Sequence, residues 1–476
     1  ALPFLIWVER RSVHPIVDTI RPALVLGAGG SALLGILQSC MKDKVKPILL
    51  TAIPGVLFLA SHGFVMALMV FFLGSVLARR IERQFSHKAI VVLLVVTATL
   101  QILPAVGPAS RRILTPDARP PGNSEIESLI LLEKPSIIHT VFDGYGDSRV
   151  LRRVYGYDNT RFRSALESRG FVVFKDAISP FNQTLPTMAS VFTAQPVPPL
   201  MPGEDAARHR RAWGRTVRYG PVVSLLQANG YQIAATPSGY GNLNFPPSEM
   251  LTSRKWGLTG LEARLLLPFS QLPRIHHFNT LLRDALTPGS VVGLAPTFFL
   301  YQHLLAPHPP FVIDANGQDV TTMPATLADG SHYIRNMPSV RKEYIRGYVE
   351  KATFVEDAYI RYFDALPNTP IIAIVHGDHG PGAYHDHDDA EASCLGERMR
   401  VFMAIYTNLP GLRKELRKAA SMPYNTANIY RTVLSEIADR KVMPGPSKSL
   451  FLSWSKPWLA TEVDPTSLEF SCAAEQ

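Results

Sequence analysis

Residues 377–380 read GDHG, an aspartate and a histidine bracketed by glycines, directly after the apolar run Ile371, Ile372, Ile374 and Val375. Carboxylate and imidazole groups are ligands of the kind divalent zinc or manganese accepts. A β-branched run ending in such a pair reads as a buried strand that delivers ligands at its carboxyl end. In open α/β sheets that end is where ligands bind, because the strand-to-helix loops converge there. Gly377 and Gly380 let the backbone turn tightly and come close to whatever is held. Alone, Asp378 and His379 also fit a solvated polar loop, so their partners decide.

Three other positions offer partners. Asp143 follows SIIHTVF at 136–142 and is either a ligand or the turn-forming acid of an Asp-Gly loop. His308, in APHPPF, follows the apolar run 297–305 and is either a site residue or a loop histidine packed between prolines. Thr184 stands just before Pro186, and proline favours the first turn of a helix, so the Thr184 hydroxyl is expected at a helix N-terminus. Free N–H groups and the helix dipole favour a phosphate there, although an ordinary capping threonine fits the same place. Threonine is a poor nucleophile until a metal or base lowers its pKa. Asp143, Asp378 and His379 are the ligands that would provide the metal.

These residues need a scaffold that gathers them. Strand-like runs recur at 136–142, 170–174, 233–235, 297–305, 371–375 and 401–406, and helical patterns at 160–169, 217–229, 275–285 and 342–366. Alternation of the two implies a parallel or mostly parallel, doubly wound sheet with helices on both faces. Asp143, His308, Asp378 and His379 would then share one sheet edge. The end of the chain, 444–476, is rich in Ser and Pro and shows no nameable chemistry.

Residues 1–106 differ in kind, being apolar with few carboxylates. Runs at 23–40, 48–78 and 89–106 approach or exceed the roughly 18 residues of a membrane span. The middle one breaks at Ser61-His62-Gly63, which puts Lys42, Lys44 and Lys46 on one side with Arg79, Arg80, Arg83 and Lys88. By the positive-inside rule that side is the cytoplasm, and everything after the last span lies outside it. Arg10, Arg11, Arg21, Arg111 and Arg112 run against this topology. The opening ALPFLIWV reads as the tail of a further span, giving about four to five in all. Residues 107–135 form a Pro-rich juxtamembrane linker, and 136–476 form the extracytoplasmic head. The net charge of +9 is scattered through loops and no nucleic-acid motif accompanies it, so no nucleic-acid partner is expected. Of three cysteines, Cys394 and Cys472 fall in the head, where export would permit a disulfide.

The order Asp-Gly after the first strand, a hydroxyl before x-Pro, His-x-Pro, then Gly-Asp-His-Gly resembles the alkaline phosphatase and sulfatase superfamily. With membrane spans ahead of the head, it looks most like the lipoteichoic acid synthase and phosphoethanolamine transferase branch. That resemblance implies Thr184 as a nucleophile that becomes phosphorylated, held on the metal by Asp143, Asp378 and His379. His308 would contact the phosphate or protonate the leaving group. Both subfamilies carry Glu at the first ligand position, and Asp143 departs from it. Sulfatases need Cys or Ser in C/S-x-P-x-R; Thr184-Leu185-Pro186-Thr187-Met188 lacks both that residue and the Arg, which argues against sulfate ester hydrolysis.

The implied cofactor is one divalent metal, Mn²⁺ or Zn²⁺, with Mg²⁺ as a further choice. His385 and His387 in HDHDD would hold a second metal or stand behind the first, while Asp388 and Asp389 read as a solvated acidic loop. Arg254 and Trp256, in SRKWG, read first as surface packing; since an Arg and a Trp line the head-group pocket in lipoteichoic acid synthases, that pocket is their other reading. The expected activity is transfer of a phospholipid head group, phosphoglycerol or phosphoethanolamine, through phospho-threonine to an envelope glycan or lipid. A membrane-anchored phosphodiesterase or phosphatase, and a non-catalytic envelope-assembly subunit, are the alternatives.

Overall fold

A computed structural model describes residues 122–245, 249, 251, 270–334, 337–445, 448–464 and 468. The chain divides into two compact units, Ala1–Pro116 and Asp117–Gln476, and the described residues belong to the second. The predicted spans, most of the predicted linker, and Arg254, Trp256 and Cys472 lie outside the described residues. Among the described residues, no helix is long and apolar enough to cross a membrane.

Eleven strands are described: β1 (Ser136–Phe142), β2 (Val172–Val173), β3 (Ala177–Ile178), β4 (Gln232–Ala235), β5 (Phe298–Leu304), β6 (Ile371–Gly377), β7 (Arg400–Val401), β8 (Met403–Thr407), β9 (Tyr424–Asn425), β10 (Ser449–Leu452) and β11 (Ala460–Val463). The six-stranded main sheet runs β2-β8-β6-β1-β5-β4. Strands β4, β5, β1 and β6 pair in parallel, whereas β8 is antiparallel to both β6 and β2, so the sheet is mixed.

Every position of β1, β5 and β6 is buried, as befits central strands covered on both faces, and the few polar residues they carry, among them His139, Gln302 and His376, are buried with the apolar ones. Alternate residues feed two clusters on opposite faces. Ile137, Val141, Phe299, Ile372 and Ile374 enter one, and Ile138, Phe142, Leu300, Ala373 and Val375 the other. Each Val, Leu, Ile or Phe among them contributes about 1.5–3 kcal/mol by leaving water.

Two predicted segments are divided. The helix expected at 217–229 is two, Ala206–Tyr219 and Pro221–Ala228. Pro221 has no N–H to continue the first helix and starts the second. The strand expected at 401–406 breaks at Phe402, because β7 leaves the main sheet to pair with β3. The chain's end also differs from its expected blandness: β10 and β11 form a hairpin whose Leu452 N–H donates to Asn182 Oδ1 at 2.8 Å, beside Thr184.

A candidate metal centre with a hydroxyl nucleophile

Strand register sets the site. Phe142, last in β1, lies beside Leu304 of β5 and Gly377 of β6. Asp143 and Asp378 therefore leave adjacent parallel strands at the same level. The Asp143 carbonyl then accepts the His308 N–H at 2.9 Å, which draws the APHPPF turn over the same edge. Two glycines owe their place to close approach: a Cβ on Gly377 would lie 2.2 Å from the Tyr145 carbonyl oxygen, and one on Gly380 1.9 Å from that of Glu397.

Asp143, Asp378 and His379 are all buried, and one ligand atom from each lies within 4.8 Å of the others. His379 Nε2 is 3.6 Å from Asp143 Oδ1, 3.6 Å from Asp378 Oδ2 and 3.1 Å from Thr184 Oγ1. Nδ1 of the same ring donates to the Gly380 carbonyl at 2.9 Å, so Nε2 presents its lone pair to the cluster. Asp143 Oδ1 and Asp378 Oδ2 have no hydrogen-bond partner although buried. Ligands about 2.1 Å from a tetrahedral ion stand roughly 3.4 Å apart. Orphaned oxygens, a fixed imidazole lone pair and these spacings fit a divalent cation.

Thr184 is the first residue of the helix Thr184–Thr193, and Gln183 before it makes no side-chain cap. The uncapped N-terminus borders a cavity of about 330 Å³ lined by Asp143, Thr184, His308, His379 and Arg398. Such an end favours an anion. Burial alone would raise the Asp143 carboxyl, but the imidazoles of His308, His303 and His379 hold it well below the usual carboxylate range. Burial and the Arg398 charge lower His379, which keeps its ring neutral and available as a ligand. His308 Nδ1 donates to the Pro309 carbonyl at 2.7 Å, and its Nε2 stands 3.8 Å from Asp329 Oδ2.

The HDHDD residues separate. His387 lines the cavity; its Nε2 donates to the Asp329 carbonyl at 2.9 Å and its Nδ1 has no partner. His385 is buried against Phe451 and does not line the cavity. Asp388 and Asp389 are exposed. Among the described residues, the three-ligand cluster contains neither histidine.

Several residues here carry no sequence signal of the site. His303 Nε2 donates to Asp143 Oδ2 at 3.1 Å and orients that carboxylate. Trp454, Arg210, His332 and Tyr240 line the outer cavity, with the Arg210 guanidinium 4.3 Å from the centre of the Trp454 ring. Asp329 and Arg398 form its floor, joined at 2.6 Å. The basic-aromatic composition of 208–213, RHRRAW, is the signal that could have pointed to this face.

The carboxyl edge of the parallel strands thus gathers a buried acid-imidazole cluster around a hydroxyl, with spacings that fit a divalent cation. Solved structures similar to this chain include the zinc complex of the C-terminal periplasmic domain of EptC from Escherichia coli, 12% identical over 74% of this chain and 98% of that one, with a TM-score of 0.43. The integral membrane lipooligosaccharide phosphoethanolamine transferase EptA from Neisseria meningitidis is 12% identical, covering 86% of this chain and 80% of its own, with a TM-score of 0.39. A 2-O GAG sulfatase is 15% identical, covering 67% and 78%, with a TM-score of 0.41. No family model and no curated protein sequence matches the chain.

Proposed function

We propose that this chain is a metal-dependent phosphotransferase of the alkaline phosphatase and sulfatase kind. In this reading it moves a phospholipid head group, through phospho-threonine, to a glycan or lipid of the cell envelope. One observation carries it: the Thr184 hydroxyl, at an uncapped helix N-terminus, lies 3.1 Å from the ligand nitrogen of His379 beside two orphaned carboxylate oxygens.

Asp143, Asp378, His379 and Thr184 would hold one divalent ion, Mn²⁺ or Zn²⁺. When bound it supplies Lewis-acid stabilisation of the threonine alkoxide. Thr184 Oγ1 forms the new bond to phosphorus while the bond from phosphorus to the diacylglycerol oxygen breaks. The Thr184 proton leaves to solvent as the alkoxide forms, and His308, as the imidazolium whose Nδ1–H is held by the Pro309 carbonyl, delivers its Nε2 proton to that leaving oxygen and is left neutral. An acceptor hydroxyl then gives up its proton to His308, attacks phosphorus and releases Thr184. The head would work outside the cytoplasm, beside its lipid donor; the disulfide on Cys394 suits an oxidising compartment.

The test is to incubate detergent-purified protein and Mn²⁺ with labelled phosphatidylglycerol or phosphatidylethanolamine. Diacylglycerol release with label on Thr184 is expected, and Thr184→Ala should abolish both. Rapid appearance of free head group in water would replace the transferase with a hydrolase. Turnover unchanged by Thr184→Ala would overturn the reading.

A further inference from the structure

Arg398 is an arginine that no part of the proposed chemistry yet uses, although it is 2% exposed and faces the reacting cavity. Its Nε donates to the Asn182 carbonyl at 2.9 Å, and its Nη1 to Asp329 Oδ2 at 2.6 Å and to the Gly380 carbonyl at 3.0 Å. These contacts tie the loop carrying Thr184 to the loop carrying His379. They also consume the donors of Nε and Nη1. What remains is Nη2, 3.3 Å from His379 Nε2. That lone pair is the one assigned to the metal, and it also receives the Thr184 hydroxyl.

An imidazole nitrogen has a single lone pair. With the metal in place, Nη2–H loses its acceptor while the guanidinium stays locked by three protein oxygens. A rigid, buried cationic donor, 3.3 Å from the nitrogen that the Thr184 hydroxyl also meets, then needs an anionic oxygen. Planar guanidinium suits phosphoryl oxygens.

Resting on the phosphotransferase reading, we propose that Arg398 is a catalytic residue that contacts the substrate, its Nη2 donating to a non-bridging oxygen of the phosphoryl group under transfer. Negative charge on those oxygens is met at the instant of reaction by a donor that need not reorganise. Asp329 balances the arginine charge without covering Nη2. Its other oxygen accepts the Tyr344 hydroxyl at 2.6 Å, so it cannot swing away.

Removing the arginine alone would strand a buried Asp329 carboxylate, so the test pairs the changes. Asp329→Asn, Asp329→Asn/Arg398→Gln and Arg398→Lys are compared with the parent chain, each loaded with Mn²⁺. Metal content is measured first, then calorimetric affinity for inorganic phosphate and for orthovanadate. The double variant should keep its metal yet bind both anions about 10- to 100-fold more weakly than Asp329→Asn. Orthovanadate should suffer more than phosphate, since it mimics the five-coordinate state. Arg398→Lys, which keeps the charge but not the fork, should fall between. Anion affinities of the double variant within about twofold of Asp329→Asn would make Arg398 a purely structural bridge and overturn the proposal. If the double variant fails to fold, parent-like anion binding by Arg398→Lys overturns it equally. A metal-loaded parent that binds neither anion would overturn the phosphoryl reading itself, and this proposal with it.

Discussion

Replacing Asp378 by Asn should stabilise the metal-free protein while abolishing its response to metal. Asp378 Oδ1 accepts the Gly144 N–H at 3.0 Å, and an asparagine oxygen keeps that bond. Oδ2 has no partner and lies 3.6 Å from the His379 Nε2 lone pair, so two electron-rich atoms face each other. An asparagine Nδ2 would put N–H groups there in place of an electron-rich oxygen, while the lone pair stays with the Thr184 hydroxyl at 3.1 Å. Removing one buried oxygen that has no hydrogen-bond partner is worth about 1–3 kcal/mol. At about 2 °C per kcal/mol for a domain of this size, the metal-free melting temperature should rise by about 2–6 °C. The parent, at a thousandfold excess of Mn²⁺ over Kd, should gain about 4 kcal/mol, or roughly 8 °C. The variant should gain almost nothing. Differential scanning calorimetry in chelator and in a Mn²⁺ series reads both numbers. A variant less stable than the parent in chelator, or one that keeps the metal-induced shift, would refute the assignment of Oδ2 as a vacant ligand.

Two further outcomes follow from the groups behind the site. His303→Gln weakens the hold on Asp143 Oδ2, and Mn²⁺ affinity by competition titration should fall about 10- to 100-fold; an unchanged affinity would show that His303 only packs. Lys351, buried under the His308 turn with Nζ donating to the His308 and Pro310 carbonyls, is pushed down to about 7 by burial, partly offset by Asp143. The folded protein therefore sheds that proton near pH 7, whereas the unfolded chain keeps it to about pH 10.4. Between those values the unfolded state binds more protons, so this group makes stability rise with pH, by up to roughly 1.4 kcal/mol per unit. Urea unfolding at pH 7 and 9 should show that slope in the parent and a flatter one in Lys351→Met; parallel profiles would count against a neutral amine.

What the sequence discloses of this site is the part built on strand ends. SIIHTVF and IIAIVHG are rich in β-branched and apolar residues, so their ends are visible, and the Asp-Gly and Asp-His pairs just beyond them stand out. Parallel register then brings Asp143 and Asp378 together without help from the loops. Arg398, Asp329 and Trp454 are illegible for the opposite reason. Arg398 lies in the five-residue helix Leu395–Met399, Asp329 in an irregular stretch and Trp454 in a turn, none long enough to show a period. The split at Gly220 and Pro221 was written in the residues, yet apolar spacing across it looked continuous. The same holds at Phe402, where burial on both sides of the break hides a change of sheet.

Histidine shows the limit most sharply, because six buried imidazoles look alike in the sequence. His139 Nδ1 meets the Tyr430 hydroxyl at 2.7 Å and its Nε2 meets His376 Nε2 at 2.8 Å. Since His376 Nδ1 donates to the Gly377 carbonyl at 2.7 Å, its Nε2 must accept, so His139 Nε2 donates and Tyr430 supplies the remaining proton. Both nitrogens of each ring are thereby used, and burial keeps the pair neutral. His303 is likewise spent between Tyr301 and Asp143. His385 and His387 each keep one nitrogen without a partner, but no second carboxylate joins them in a ligand cluster among the described residues. His379 alone of the six turns a lone pair toward two orphaned carboxylate oxygens and a hydroxyl. His376 holds its Nδ1 on the next carbonyl in the same way, so the difference lies in what Nε2 meets, His139 Nε2 for His376 and the orphaned oxygens with the Thr184 hydroxyl for His379, a geometry that no residue pattern encodes.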